Sequence, residues 1–316
     1  MTHVFLGKLR MLLTQRSLTF LSAIPSIQIT SPPSYNPNIG MMPLWSNKRM
    51  PFKNAEAVST MSSCSKDKSH DVAIRVKGLR KVFVSYFDRP ATFKEMVVRF
   101  GRIRPAEVVA LNNVSFEISK GESVAIIGPN GSGKTTLLAT IAGIYKPTSG
   151  VCEVFGKAVA MLGVAGGFHP ELTVYENLLF VGISMGMSIA EVNQKLNSII
   201  EFAQIEGMLN APVRTLSTGM CIRLGFSLGI HASPQILLLD EQLQATDEHF
   251  QSKALKKLHE MHEMGVTILF VTHYMPWVRS LASRAIWLEH GEVRMDGPPN
   301  DVVDAYIKAS HSLKGA

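Results

Sequence analysis

The chain has 316 residues and a formal net charge of +7, enough for one large domain and an extension. Residues 1–70 hold eight Lys/Arg against two acids, +6 of that total, so the basic balance is no argument for a nucleic-acid surface on the remainder. No apolar run approaches the roughly 18 residues a membrane-spanning helix needs, and Cys64, Cys152 and Cys221 form no C-x-x-C pair, which fits reduced thiols of a cytosolic compartment.

In chain order, residues 1–70 read as a basic, disordered extension and residues 71–316 as the folded domain. Residues 4–24 mix Leu and Phe with Lys8, Arg10 and Arg16 and hold no acid, the pattern of an amphipathic targeting or membrane-surface segment. Residues 31–51 are rich in Pro, Asn and Ser, which suits a linker. Two readings stand open. The extension is a genuine membrane-surface anchor, or the start was assigned too early and Met61 opens a short polar lead into the first strand. Between Asp88 and Glu107, Phe93, Met96, Val97 and Phe100 recur at helical spacing, with Lys94, Glu95, Arg99 and Arg102 facing elsewhere. That predicts an amphipathic helix, either packed on the domain surface or turned to anionic lipid.

Ser123-Val124-Ala125-Ile126-Ile127 is a β-branched apolar run that predicts a buried strand. Gly128-Pro129-Asn130-Gly131-Ser132-Gly133-Lys134-Thr135 follows, fitting G-x-x-x-x-G-K-[ST], and residues 136–142 continue with helix-compatible spacing. A strand, a glycine loop and a helix are the parts of a phosphate cradle. The glycines let N–H groups turn inward, and the helix N-terminus adds partial positive charge. Lys134 is expected to reach the β- and γ-phosphates, and Thr135 to offer a hydroxyl to Mg²⁺. Thr136 continues the cradle.

Leu216-Ser217-Thr218-Gly219-Met220 reads as a short Gly-centred turn before a helix. Residues 235–241 form an apolar run ending in Asp240 and Glu241. Ligands of parallel sheets collect at the carboxyl ends of strands, so Asp240 is expected to hold Mg²⁺ and Glu241 to orient the attacking water. Asp247 reads as the cap of a helix from His249 on. A second apolar strand, residues 266–272, delivers His273 to the same edge for a γ-phosphate contact.

Together these pieces resemble the ATP-binding cassette (ABC) ATPases over residues 72–307. Leu216-Ser217-Thr218-Gly219-Met220 stands at the family's Leu-Ser-Gly-Gly-Gln signature, with Thr218 and Met220 departing and Ser217 and Gly219 retained. The resemblance implies an α/β P-loop NTPase core, an antiparallel β subdomain (residues 74–76, 115–118 and 151–155) and a helical subdomain from about residue 173 to 233. It further implies that Ser217 and Gly219 close on ATP held by a second copy of the chain, and that Asp247 lies at that seam. One of Tyr86 and Phe87 would stack on adenine, unless both are core aromatics.

Residues 166–177 (Gly-Gly-Phe-His-Pro-Glu-Leu-Thr-Val-Tyr-Glu-Asn), the run Arg223-Leu224-Gly225-Phe226, the Arg284–Leu288 stretch and the pair Phe250-Gln251 are similar to the polysaccharide-exporting branch. So is the lack of a glutamine between Ala158 and Tyr175, where most ABC ATPases carry a coupling one. The branch implies an ATPase bound peripherally at the cytoplasmic face of the inner (plasma) membrane. It would power a separate permease for O-antigen, capsule or teichoic acid glycans, with ATP and Mg²⁺ and without nucleic acid. After the helix expected over residues 301–310 the chain leaves no room for a carbohydrate-binding domain. The alternatives are an exporter ATPase for another small molecule or lipid, or a soluble ABC protein outside transport.

Overall fold

The computed structural model describes residues 71–85, 106–163 and 167–314. The basic extension, the 88–105 part of the expected amphipathic helix, and Tyr86 and Phe87 lie outside the described residues.

The centre is a six-stranded sheet of order β5-β6-β7-β3-β8-β9. Its strands are β3 (Ser123–Ile127), β5 (Ala158–Met161), β6 (Ile236–Leu239), β7 (Thr267–Val271), β8 (Arg284–Glu289) and β9 (Glu292–Gly297). All neighbours pair in parallel except β8 with β9. The parallel strands are continuous apolar runs because both faces are covered. Val124, Ile126, Ile236, Leu238, Leu269 and Val271 enter one core; Ala125, Ile127, Leu237, Leu239, Ile268 and Phe270 enter the other. This period-two alternation between two cores decides the layering.

Over the first face lie α1 (Lys134–Ile141), through Leu137, Leu138 and Ile141, and an antiparallel sheet of β1 (Val72–Ser85), β2 (Ala106–Ser119) and β4 (Ser149–Val154). β1 and β2 are much longer than the expected segments at 74–76 and 115–118, and Ala106 and Glu107 belong to β2 rather than to the insertion. The first half of β2 is largely exposed and the β1–β2 ladder carries several register shifts, so only residues 114–119 of β2 show a clean alternation.

The second face is covered by α5 (Glu248–Glu263), α6 (Met275–Leu281) and α7 (Pro299–Lys314), and by a helical lobe of α2 (Val174–Ser184), α3 (Ile189–Ala203) and α4 (Thr218–His231). The starts of α2 and α3 are written locally. Thr173 with Glu176, and Ser188 with Glu191, form reciprocal capping boxes. Three rings join the lobe to the core. Phe202 of α3, Phe226 of α4 and Phe250 of α5 sit with centroids 5.8 to 6.0 Å apart, two of the three pairs edge-on.

Candidate functional site: a phosphate cradle at the sheet edge

β6, β7 and β3 are adjacent, so their carboxyl ends meet at one edge. The turn after β3 is the glycine loop. Gly128 takes a φ of 148°, and a Cβ there would stand 2.0 Å from the Leu288 carbonyl oxygen. Gly133, in the left-handed region, precedes α1, and a Cβ on it would meet the Ala110 carbonyl oxygen at 2.5 Å. Gly131 faces open space. Glycine is thus demanded at two points by close backbone approach. No side chain caps α1, whose first N–H groups face the loop. The loop is braced from outside by Gly291 N–H donating to the Ser132 carbonyl at 2.9 Å. Pro129, Asn130 and Thr135 are exposed, and Thr136 is half-buried.

Lys134 folds back over the loop, donating from Nζ to the carbonyl oxygens of Gly128 and Pro129, each at 2.9 Å. Burial lowers its pKa, while the charges of Glu241 and Asp240 oppose that shift. The Ser132 hydroxyl is buried without a hydrogen-bond partner. An uncapped helix start, a folded-back ammonium and an unpartnered hydroxyl around one glycine loop suit an anion with several oxygens.

Asp240 follows β6. Its Oδ1 accepts from Glu241 N–H at 2.8 Å, and burial raises its pKa, with Glu241's charge adding to the rise. Glu241 is exposed, and its Oε2 lies 3.1 Å from His273 Nε2, beyond β7. Burial, then the nearby Lys134 charge, lowers the His273 pKa, with Glu241 opposing. The imidazole is therefore neutral at neutral pH. The expected residues Lys134, Asp240, Glu241 and His273 come together beside the loop. The oxygens of Thr135 and Asp240 suit a hard cation whose other ligands come from water and phosphate. Among the described residues there is no cluster of three or more His, Cys, Asp or Glu able to hold a metal on its own.

A second group gathers at α4. Ser217 caps this helix, its hydroxyl accepting from Met220 N–H at 3.2 Å, and both Ser217 and Thr218 are exposed. Met220 packs against the core. Arg223 reaches 3.7 Å from Asp247, which caps α5 by accepting from Phe250 N–H at 2.9 Å. Among the described residues no hydrogen bond or ion pair links Ser217 or Gly219 to the phosphate loop.

Sequence reading missed Gln242 and Gln244 in this neighbourhood, and it named Gln251 only as part of a branch motif. Gln244 and Gln251 tie the loop after β6 to its surroundings. Gln242 brings its amide to Gly163, where an added Cβ would lie 3.6 Å from Nε2, at the start of a connector that holds no glutamine of its own. The run of glutamines in Glu241-Gln242-Leu243-Gln244 was the available signal.

The sheet order, the glycine loop and the acids at the neighbouring strand end define a P-loop nucleotide-binding protein. The profile of the ABC transporter family matches residues 111–244. An O-antigen export system ATP-binding protein RfbB of Klebsiella pneumoniae is 36% identical over 240 residues, covering 75% of this chain and 98% of that protein. The chain belongs to the ABC transporter family. A Myxococcus xanthus protein of the same name is 42% identical, covering 69% of this chain and 51% of its own length. The teichoic acids export ATP-binding protein TagH of Bacillus cereus is 44% identical, covering 62% of this chain and 36% of that protein. The chain thus spans about half of the Myxococcus relative and about a third of the Bacillus one. Among solved structures, the ATP-binding cassette MJ0796, a dimer in a post-hydrolysis state bound to ADP and Pi, superposes with a TM-score of 0.59. That match is 25% identical and covers 72% of this chain and 98% of that one.

Proposed function

We propose that this chain is the ATP-hydrolysing subunit of an exporter of polysaccharide or lipid-linked glycan, working as a pair with a second copy of itself on a separate membrane permease. The convergence of Lys134, Asp240, Glu241 and His273 beside the glycine loop carries the reading. The loop N–H groups and Lys134 bind the phosphates and neutralise their charge. Thr135 and Asp240 are the residues that would hold Mg²⁺, which supplies Lewis-acid charge neutralisation at the phosphate oxygens when bound. Glu241 aligns the attacking water and accepts its proton, while His273 holds the Glu241 carboxylate in place. Ser217 and Gly219, at the start of α4, are suited to a nucleotide held by the partner copy, through N–H groups and helix dipole.

The glycan cargo rests on the names of the relatives and on the sequence motifs shared with that branch. Attachment at the cytoplasmic face of the inner membrane rests on the export-system names of the relatives, and the helical lobe leaves apolar side chains exposed. Phe180, Ile183 and Ile189 are 48%, 47% and 53% exposed there. Among the described residues no helix is long and apolar enough to cross a membrane.

The test is a replacement in cells that display a surface glycan. Cells carrying Glu241→Gln in place of the wild-type gene are expected to lose the surface glycan and accumulate it inside, and the purified variant to lose ATP turnover. Unchanged surface glycan alongside lost turnover would overturn the cargo assignment.

A further inference from the structure

We propose that Gln244 is a positioning residue for the hydrolytic pair Glu241 and His273, acting through a half-buried hydrogen bond to Thr272. The proposal rests on the ATPase reading and adds a residue to it. β6 and β7 are parallel neighbours, so the loop leaving β6 (Glu241–Ala245) and the turn leaving β7 lie side by side. Two side-chain ties cross between them. One is the Glu241–His273 contact at 3.1 Å, whose members are 45% and 33% exposed. An exposed pair of this kind holds geometry weakly.

The other tie runs from the Gln244 amide nitrogen to the Thr272 hydroxyl. Thr272 is 2% exposed and Gln244 half-buried, so the acceptor end of this bond is shielded from water. The same hydroxyl accepts from Tyr274 N–H at 3.0 Å. Thr272 and Tyr274 bracket His273, so the hydroxyl anchors the backbone on both sides of the histidine. Gln244 is itself held from behind. The Gln251 amide on α5 donates to the Gln244 carbonyl at 3.2 Å and to the Thr246 carbonyl at 2.8 Å. The chain of contacts runs from α5, through the loop carrying Glu241, to the turn carrying His273. Gln244 sets the spacing of the two loops, and the exposed pair in front inherits it. A misplacement of about 1 Å in such a pair is enough to slow chemistry without weakening binding.

The experiment compares steady-state ATP hydrolysis and thermal unfolding of the full chain as wild type, Gln244→Met, Thr272→Val, the double variant and Thr272→Ser. Met keeps the volume of Gln and lacks its donor; Val keeps the shape of Thr and lacks its hydroxyl. Gln244→Met is expected to lower kcat about tenfold with KM for ATP within about twofold and Tm unchanged. The double variant should be no worse than the slower single, and Thr272→Ser should keep wild-type kcat. Wild-type kcat in Gln244→Met, independent multiplying losses in the double variant, or a fall in Tm matching the fall in kcat would each overturn the assignment. A wild-type chain that does not turn over ATP would instead sink the ATPase reading, and this proposal with it.

Discussion

At the scale of single residues, His273 decides the most. Burial and the neighbouring Lys134 charge depress its pKa below the ordinary 6.5, against the pull of Glu241. A depressed pKa keeps the ring neutral until the pH falls beneath that value. ATP turnover that depends on neutral His273 therefore stays level from pH 8 down to about 6.5 and declines only below it. A kcat profile with its acid limb above pH 7 would show that the ring charges earlier than its surroundings dictate. Asp240 and Glu241 were legible in the sequence because they end a continuous apolar strand, and strand ends are where parallel sheets collect ligands. The glutamine run marked Gln244 but not its role, which lies in Thr272, a residue in the turn leaving the neighbouring strand.

At the scale of elements, Asn177 is the clearest case. Its side chain is wholly buried at the start of α2. Its Oδ1 accepts from His169 N–H at 2.7 Å, and its amide nitrogen donates to the carbonyls of His169, Leu172 and Thr173 at 3.0 to 3.1 Å. One side chain thus shapes the segment that enters the helical lobe, within the very motif that resembles the export branch. Replacing Asn177 with Ala leaves the His169 N–H without its acceptor and strips one hydrogen bond from each of three carbonyls that keep a backbone partner, and should cost about 2 kcal/mol, read as a lower denaturant midpoint with unchanged slope. A midpoint within experimental error of wild type would mean water replaces the amide freely. The helical lobe was expected from the family resemblance, and the capping boxes at Thr173 and Ser188 are the local signals that mark the starts of its first two helices. The length of β1 and β2 was not, because exposed faces and register shifts erase the period-two signal.

For the whole molecule, the two groups of site residues pose the question of assembly. Lys134, Asp240, Glu241 and His273 share one cluster, while α4 carries a second group, Ser217 at its start and Arg223 paired with Asp247. If each cluster is half of a nucleotide site, two copies are needed to complete it. Glu241→Gln, expected to bind ATP without turning it over, should pass from monomer to dimer on addition of Mg²⁺-ATP in size-exclusion chromatography with light scattering. Lys134→Ala should remain monomeric under the same conditions. A Glu241→Gln chain that binds ATP and stays monomeric would place the completion of the site on the permease rather than on the chain alone.

The sequence by itself determined the parts that are contiguous. These were the glycine loop between strand and helix, the acids at a strand end, the cap at Asp247 and the turn before α4. Each depends on backbone conformation and neighbours within a few residues, so local composition is enough. Only the tertiary structure decided which parts meet. The order β6-β7-β3 puts the acids beside the loop, a hydrogen bond joins Gln244 to Thr272, and the rings of Phe202, Phe226 and Phe250 lock the helical lobe to the core. Those contacts join residues far apart in the chain, and their free energy comes from burying faces of different elements against each other. Local pattern carries no record of that choice.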